Sequence, residues 1–172
     1  RCTGTWRLGD FAERTITLMA PSKTFNLAGL KASVAIITNP ELRARFEAAK
    51  AGLVGAVNIL GYVGMTAAYR DCGGWLEALK VYLTANRDLM AAFVRERMPG
   101  VAMYPAEGTY LAWLDCNALE LPGNDPHEWF LERARVALND GRTFGAPGEG
   151  FVRLNFGCPR PLLEEGLERM AR

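Results

Sequence analysis

The sequence predicts an α/β fold, and three observations carry that prediction. Apolar runs of strand length recur at 15–19, 32–38, 109–115 and 150–157. Between them lie segments with apolar residues at helical spacing, several opened by proline. The composition is globular, with 49% hydrophobic and 23% charged residues among 172. At about 100–200 residues per domain, that length is one domain, or one and a piece of another.

Residues 1–9 carry no usable pattern. TITLM (15–19) is β-branched and apolar and reads as a buried strand that Pro21 ends. ASVAIIT (32–38) reads as a second strand. Asn39 then offers an N-cap and Pro40 a first helical position, with ELRARFEAAKAG as the amphipathic helix behind them. Residues 51–69, AGLVGAVNILGYVGMTAAY, carry no charge over nineteen positions. That approaches the length of a spanning helix. Four glycines, Asn58 and Thr66 argue against lipid. The expectation is a pair of short, closely packed helices, buried in a core or at a subunit interface, and no membrane span.

Residues 74–98 read as one helix, with Trp75, Leu79, Tyr82, Leu83, Met90, Phe93 and Val94 at helical spacing between Gly73-Gly74 and Pro99-Gly100. At about 1.5 Å per residue it spans about 37 Å, long enough to bridge two lobes. TYLAWLD (109–115) is a strand. Asp125-Pro126-His127-Glu128 is a capped helix start, and that helix runs to about Ala137 and ends near Asn139-Asp140-Gly141. GFVRLNFG (150–157) is a strand, and Pro161 opens a last helix.

Charge narrows the function classes. Twenty basic and nineteen acidic side chains leave +1, which points to neither nucleic acid nor an acidic membrane. The four cysteines lie more than forty residues apart and His127 is the only histidine, so no metal site is expected. Reduced thiols in a cytoplasmic protein fit best. The chain begins at Arg1 without a visible signal peptide, and a fragment of something longer is expected.

Two residues stand out chemically. Lys23 follows a strand and a proline break, and no acid occurs from Thr15 to Pro40. A lysine held in an apolar, acid-free pocket is the kind whose amine forms a Schiff base. The alternative, an ordinary solvated loop lysine, stays open on these residues alone. In the 150–157 strand, alternation puts Val152, Leu154 and Phe156 on one face and Phe151, Arg153 and Asn155 on the other. If the first face is core, Arg153 looks into polar space, where a guanidinium suits a carboxylate. A solvated edge arginine is the alternative. His127 is expected to be a surface residue at its helix start, and Gly145–Gly150 a loop.

TITLMAPSKTFNLAGLKASVAIITNPELR, GYVGMTAAYRDCGGWLEALKVYLTANRD, EGTYLAWLDC and RTFGAPGEGFVRLNFGCPRPLLEEGLERM follow one another from about residue 10 to the end. Together they resemble the C-terminal part of fold-type I pyridoxal-phosphate enzymes. Within class I/II aminotransferases, they are similar to the cystathionine β-lyase, or C–S lyase, subgroup. The resemblance implies the end of a large cofactor domain at 1–73, a connecting helix at 74–98 and a small α/β domain at 99–172.

It also implies pyridoxal 5'-phosphate as cofactor and Lys23 as the residue that carries the aldimine and shuttles the Cα proton. Ser22 and Lys31 are the implied phosphate contacts, and Arg153 the partner of the substrate α-carboxylate. The sequence departs from the family in having Ala20 where a serine is common and Lys31 where aminotransferases often have arginine. Ser22 is the implied substitute for that serine. The implied activity is cleavage of C–S bonds in amino acids such as cystathionine, in a homodimeric parent. An aminotransferase and an inactive truncated domain are the alternatives, because Lys23 and Arg153 serve both enzyme chemistries.

Overall fold

A computed structural model describes residues 9–104 and 106–172. The chain forms two compact units, one ending at Glu77 and the other Ala78–Arg172.

In the first unit, β1 (Thr17–Met19) pairs antiparallel with β2 (Val34–Ile36), with Thr17 opposite Ile36 and Met19 opposite Val34. The expected burial of residues 15–19 fails: Leu18 is 68% exposed, and Ile16 and Met19 are exposed too. Among the described residues this sheet has only two strands, and it leaves these apolar side chains without a surface that buries them. Helix α1 (Pro40–Lys50) starts as its sequence dictates, with the Asn39 side chain accepting from the Glu41 and Leu42 amides.

The expected helix pair at 51–69 is one helix. A turn with Gly52 at φ +78° ends the first stretch, and α2 (Ile59–Asp71) begins behind Asn58, which accepts from Gly61 N at 2.7 Å. Its apolar residues Ile59, Leu60, Tyr62 and Val63 are exposed rather than buried. No described helix is long and apolar enough to cross a membrane. Helix α3 (Gly73–Arg97) starts and ends one residue before the expected 74–98, and the division between the units falls inside it.

The second unit is a four-stranded antiparallel sheet under helices. Its order is β3 (Ala102–Met103), β4 (Leu111–Asp115), β6 (Phe151–Asn155), β5 (Asn139–Asp140). Ala112, Leu114, Val152 and Leu154 bury one sheet face. Against it lie Met90, Val94 and Met98, Phe130 and Ala134 from α4 (Pro126–Trp129) and its continuation, and Leu163, Leu167 and Met170 from α5 (Arg160–Met170). Helix α4 continues as a π-type turn over Phe130–Ala134 and stops three residues before Ala137, because Arg135 takes a left-handed conformation at φ +55°. Two-residue strands such as β3 and β5 are too short to leave a periodic signal.

Buried Asn86 ties α3 to the chain beyond β6. Its amide donates to the carbonyls of Phe156 (3.1 Å) and Cys158 (3.0 Å) and accepts from Arg160 Nε (3.1 Å). Both N–H donors of the amide are engaged and its oxygen accepts once, which suits a fully buried polar side chain.

Candidate active site

The lysine loop joins β1 to β2. Pro21 is buried, and the turn behind it is closed by Phe25 N to Pro21 O (2.9 Å) and Leu27 N to Ser22 O (3.0 Å). Lys23 stands on this turn, exposed, and makes no hydrogen bond or ion pair among the described residues. It does not sit in an enclosed apolar pocket within its own unit. Ser22 is its neighbour. Lys31 closes the loop in a left-handed conformation, φ +50°, behind a short turn over Ala28–Leu30.

The loop is fixed from beneath and from one end. Asn58 Nδ2 donates to Leu30 O at 2.8 Å. Gly61 lets α2 approach: a Cβ there would meet Val57 Cγ1 at 3.0 Å, the Leu30 carbonyl at 3.1 Å and Ala32 Cβ at 3.2 Å. The Phe25 ring meets Tyr69 edge-on at 5.6 Å and stacks on Trp75 at 6.2 Å. Two residues after Lys23, the chain is therefore anchored by aromatic contacts.

Arg153 belongs to the other unit and lies mid-sheet, opposite Trp113 on β4 and Asn139 on β5. The alternation is as the sequence implies, with Val152, Leu154 and Phe156 buried and Arg153 on the opposite face. The face is aromatic as well as polar. Trp113 stacks on Phe151 (5.4 Å) and meets Phe144 edge-on (5.6 Å). Arg153 Cζ lies 4.5 Å from the Phe144 ring centre, and Nη2 donates to Asn139 Oδ1 at 3.1 Å. Its Nε is buried without an acceptor among the described residues.

The segment bringing Asn139 and Phe144 to Arg153 is itself held. Arg142 bridges Asp140 and Asp125, and Thr143 Oγ1 donates to Asp140 O at 2.6 Å. The Glu128 amide at the helix cap, and then Arg142, keep the Asp125 carboxyl below its usual range. The Arg142 side chain does the same to Asp140, and both carboxylates raise Arg142 in turn. Gly141 packs so closely that a Cβ would come within 2.2 Å of Gly148 O. His127 is half-buried rather than a surface residue. Its Nδ1–H donates to Leu138 O at 3.0 Å, tying α4 to the chain before β5.

Lys23, Ser22 and Lys31 thus share one loop of one unit, and Arg153 stands in the other. Sequence reasoning missed Asn139 and Phe144. Asn139-Asp140-Gly141 reads as a helix stop, and Phe144 ends a short turn with no period, just before the glycine-rich loop.

A scan against models of protein families finds no match. The chain is 40% identical to cystathionine β-lyase PatB of Bacillus subtilis over 163 residues, covering 94% of this chain and 42% of that protein. Among solved structures, OvoB superposes with a TM-score of 0.85 at 50% identity, covering 94% of this chain and 41% of that one. Cystalysin from Treponema denticola, which contains a pyridoxal 5'-phosphate cofactor, superposes with a TM-score of 0.86 at 35% identity over 94% and 41%. The chain spans about two fifths of the length of the relatives it matches.

Proposed function

We propose that this chain, which belongs to the C-terminal part of the fold-type I, class I/II aminotransferase family, serves a pyridoxal-phosphate-dependent lyase that cleaves C–S bonds of amino acids such as cystathionine. The observation that carries the proposal is Lys23, an amine without a partner among the described residues, on a turn anchored by Phe25, Asn58 and Gly61. The donor set suits the cofactor. A primary amine takes its aldehyde, and the Ser22 hydroxyl and Lys31 ammonium, on the same loop, take its phosphate.

When bound, the cofactor supplies a pyridine ring that draws electrons from the substrate's Cα. Lys23 would hold it and would move the Cα proton. Arg153 pairs with the substrate α-carboxylate and so fixes which Cα bond can react. With one water consumed in the hydrolysis, a thiol, pyruvate and ammonia are the products. Residues 1–73 serve as the end of the cofactor domain, 74–98 as its connecting helix and 99–172 as the small domain. The exposed apolar residues of α2 support burial against the remainder of a homodimeric, cytoplasmic enzyme. Alone, the 172 residues are inactive, because groups that orient the ring are not among them.

The test is a chimera in which this chain replaces the matched part of Bacillus subtilis PatB. Pyruvate release from cystathionine that Lys23→Ala abolishes supports the proposal. A cofactor-loaded chimera that instead transfers the amino group to an added 2-oxo acid supports the aminotransferase.

A further inference from the structure

The surroundings of Arg153 carry an inference that rests on the carboxylate role proposed above. We infer that Asn139 and Phe144 are positioning residues of Arg153, holding the guanidinium by one terminal nitrogen and one face while leaving its charge unspent for a carboxylate ligand. Asn139 is the residue directly opposite Arg153 across the β5–β6 pair, and its Oδ1 accepts from Nη2 at 3.1 Å. Phe144 lies under Cζ at 4.5 Å and is itself braced edge-on by Trp113 at 5.6 Å.

The chemistry of the partner matters. A half-buried guanidinium remains charged, and proteins ordinarily meet such a charge with a carboxylate. Among the described residues Arg153 has none. Its protein partners are a neutral amide oxygen and an aromatic face, and its Nε is buried without an acceptor. A neutral acceptor fixes direction without cancelling the charge. An aromatic face adds attraction from below and does not compete for the N–H edges. An acid at 139 would have the same reach and would consume the charge.

The segment is built to keep this arrangement. Arg142, between Asn139 and Phe144, is clamped by Asp140 and Asp125. The acids of this segment are thereby engaged with Arg142. Asp140, next to Asn139, bonds to Arg142 rather than Arg153.

The experiment follows the Arg153 Nε–H signal by NMR in the 172-residue chain. L-Alanine is the probe and L-alaninamide, which lacks the carboxylate, the control. In the wild type, L-alanine shifts the signal and the amide does not. Asn139→Asp weakens the L-alanine response by about tenfold or more, although it keeps the size and reach of the residue. Phe144→Leu weakens it by about two- to fivefold, and Phe144→Tyr restores it. Thermal melting of each variant shows whether it is folded. For a variant that does not fold as the single chain, the same titration is run in the PatB chimera.

An Asn139→Asp response equal to wild type overturns this inference and leaves the carboxylate role of Arg153 intact. Absence of any carboxylate-dependent shift in the wild type, or one that persists in Arg153→Gln on another arginine, overturns the carboxylate role itself.

Discussion

Asn86→Ala is the perturbation whose consequence follows most directly from the packing of the second unit. The Asn86 amide reaches three groups on the chain that leaves β6: Phe156 O, Cys158 O and Arg160 Nε. Truncation removes all three bonds. Arg160 also stacks on Tyr82, with Cζ 5.4 Å from the ring centre, and its exposed atoms reach water, so its loss is small. The two carbonyls are different, because Phe156 is buried and Cys158 half-buried. A buried polar group left without a partner costs about 1–3 kcal/mol, so the two together cost about 3 kcal/mol. For a unit of this size that corresponds to a fall in melting temperature of roughly 10–20 °C. Asn86→Asp keeps the volume, removes both donors and points a carboxylate at two carbonyls, so it should be at least as damaging. The assay is thermal unfolding followed by near-ultraviolet circular dichroism. A fall of less than about 3 °C in both variants would refute the reasoning and show that the chain beyond Arg153 is held by other contacts.

Other outcomes follow from the same geometry. Gly141→Ala puts a Cβ 2.2 Å from Gly148 O and 2.5 Å from Phe151 O, both backbone atoms, and should cost about 1–3 kcal/mol or more in urea unfolding, with the Phe144 ring displaced. Burial, aided by neighbouring Asp115, pushes the Cys116 thiol up to about 12, so iodoacetamide at mildly alkaline pH should leave it unmodified until the chain is unfolded. Asp125 and Asp140 have carboxyls held below their ordinary range, so their contribution to stability is present above about pH 4 and is lost as pH falls through their folded-state values. Asp140→Asn should therefore be less stable than wild type at neutral pH, with the gap closing under acid, measured by urea midpoints across pH.

Where a single residue dictates local geometry, the sequence was legible. Asn39-Pro40 and Asp125-Pro126 each produce the capped helix start that their chemistry requires. The Val152/Arg153 alternation follows from strand geometry alone. What could not be read depends on what lies beside an element. The apolar residues of β1 and α2 promise a core, but burial needs a second surface, and within the described residues Leu18, Met19, Ile59, Leu60, Tyr62 and Val63 face outward. The setting of Arg153 was hidden for another reason. Asn139 and Phe144 reach it through a two-residue strand and a short turn, which have no period, and only cross-strand register brings them together.

The central claim is that Lys23 is the amine that takes the cofactor. The direct measurement is to incubate the chain with pyridoxal phosphate, reduce with borohydride, and map the modified peptide by mass spectrometry. Four lysines compete: Lys23, Lys31, Lys50 and Lys80. The account predicts the pyridoxyl group on Lys23, with the other three essentially unlabelled and labelling lost in Lys23→Ala. Label spread evenly over the lysines, or concentrated on Lys31 with Lys23 free, would contradict it.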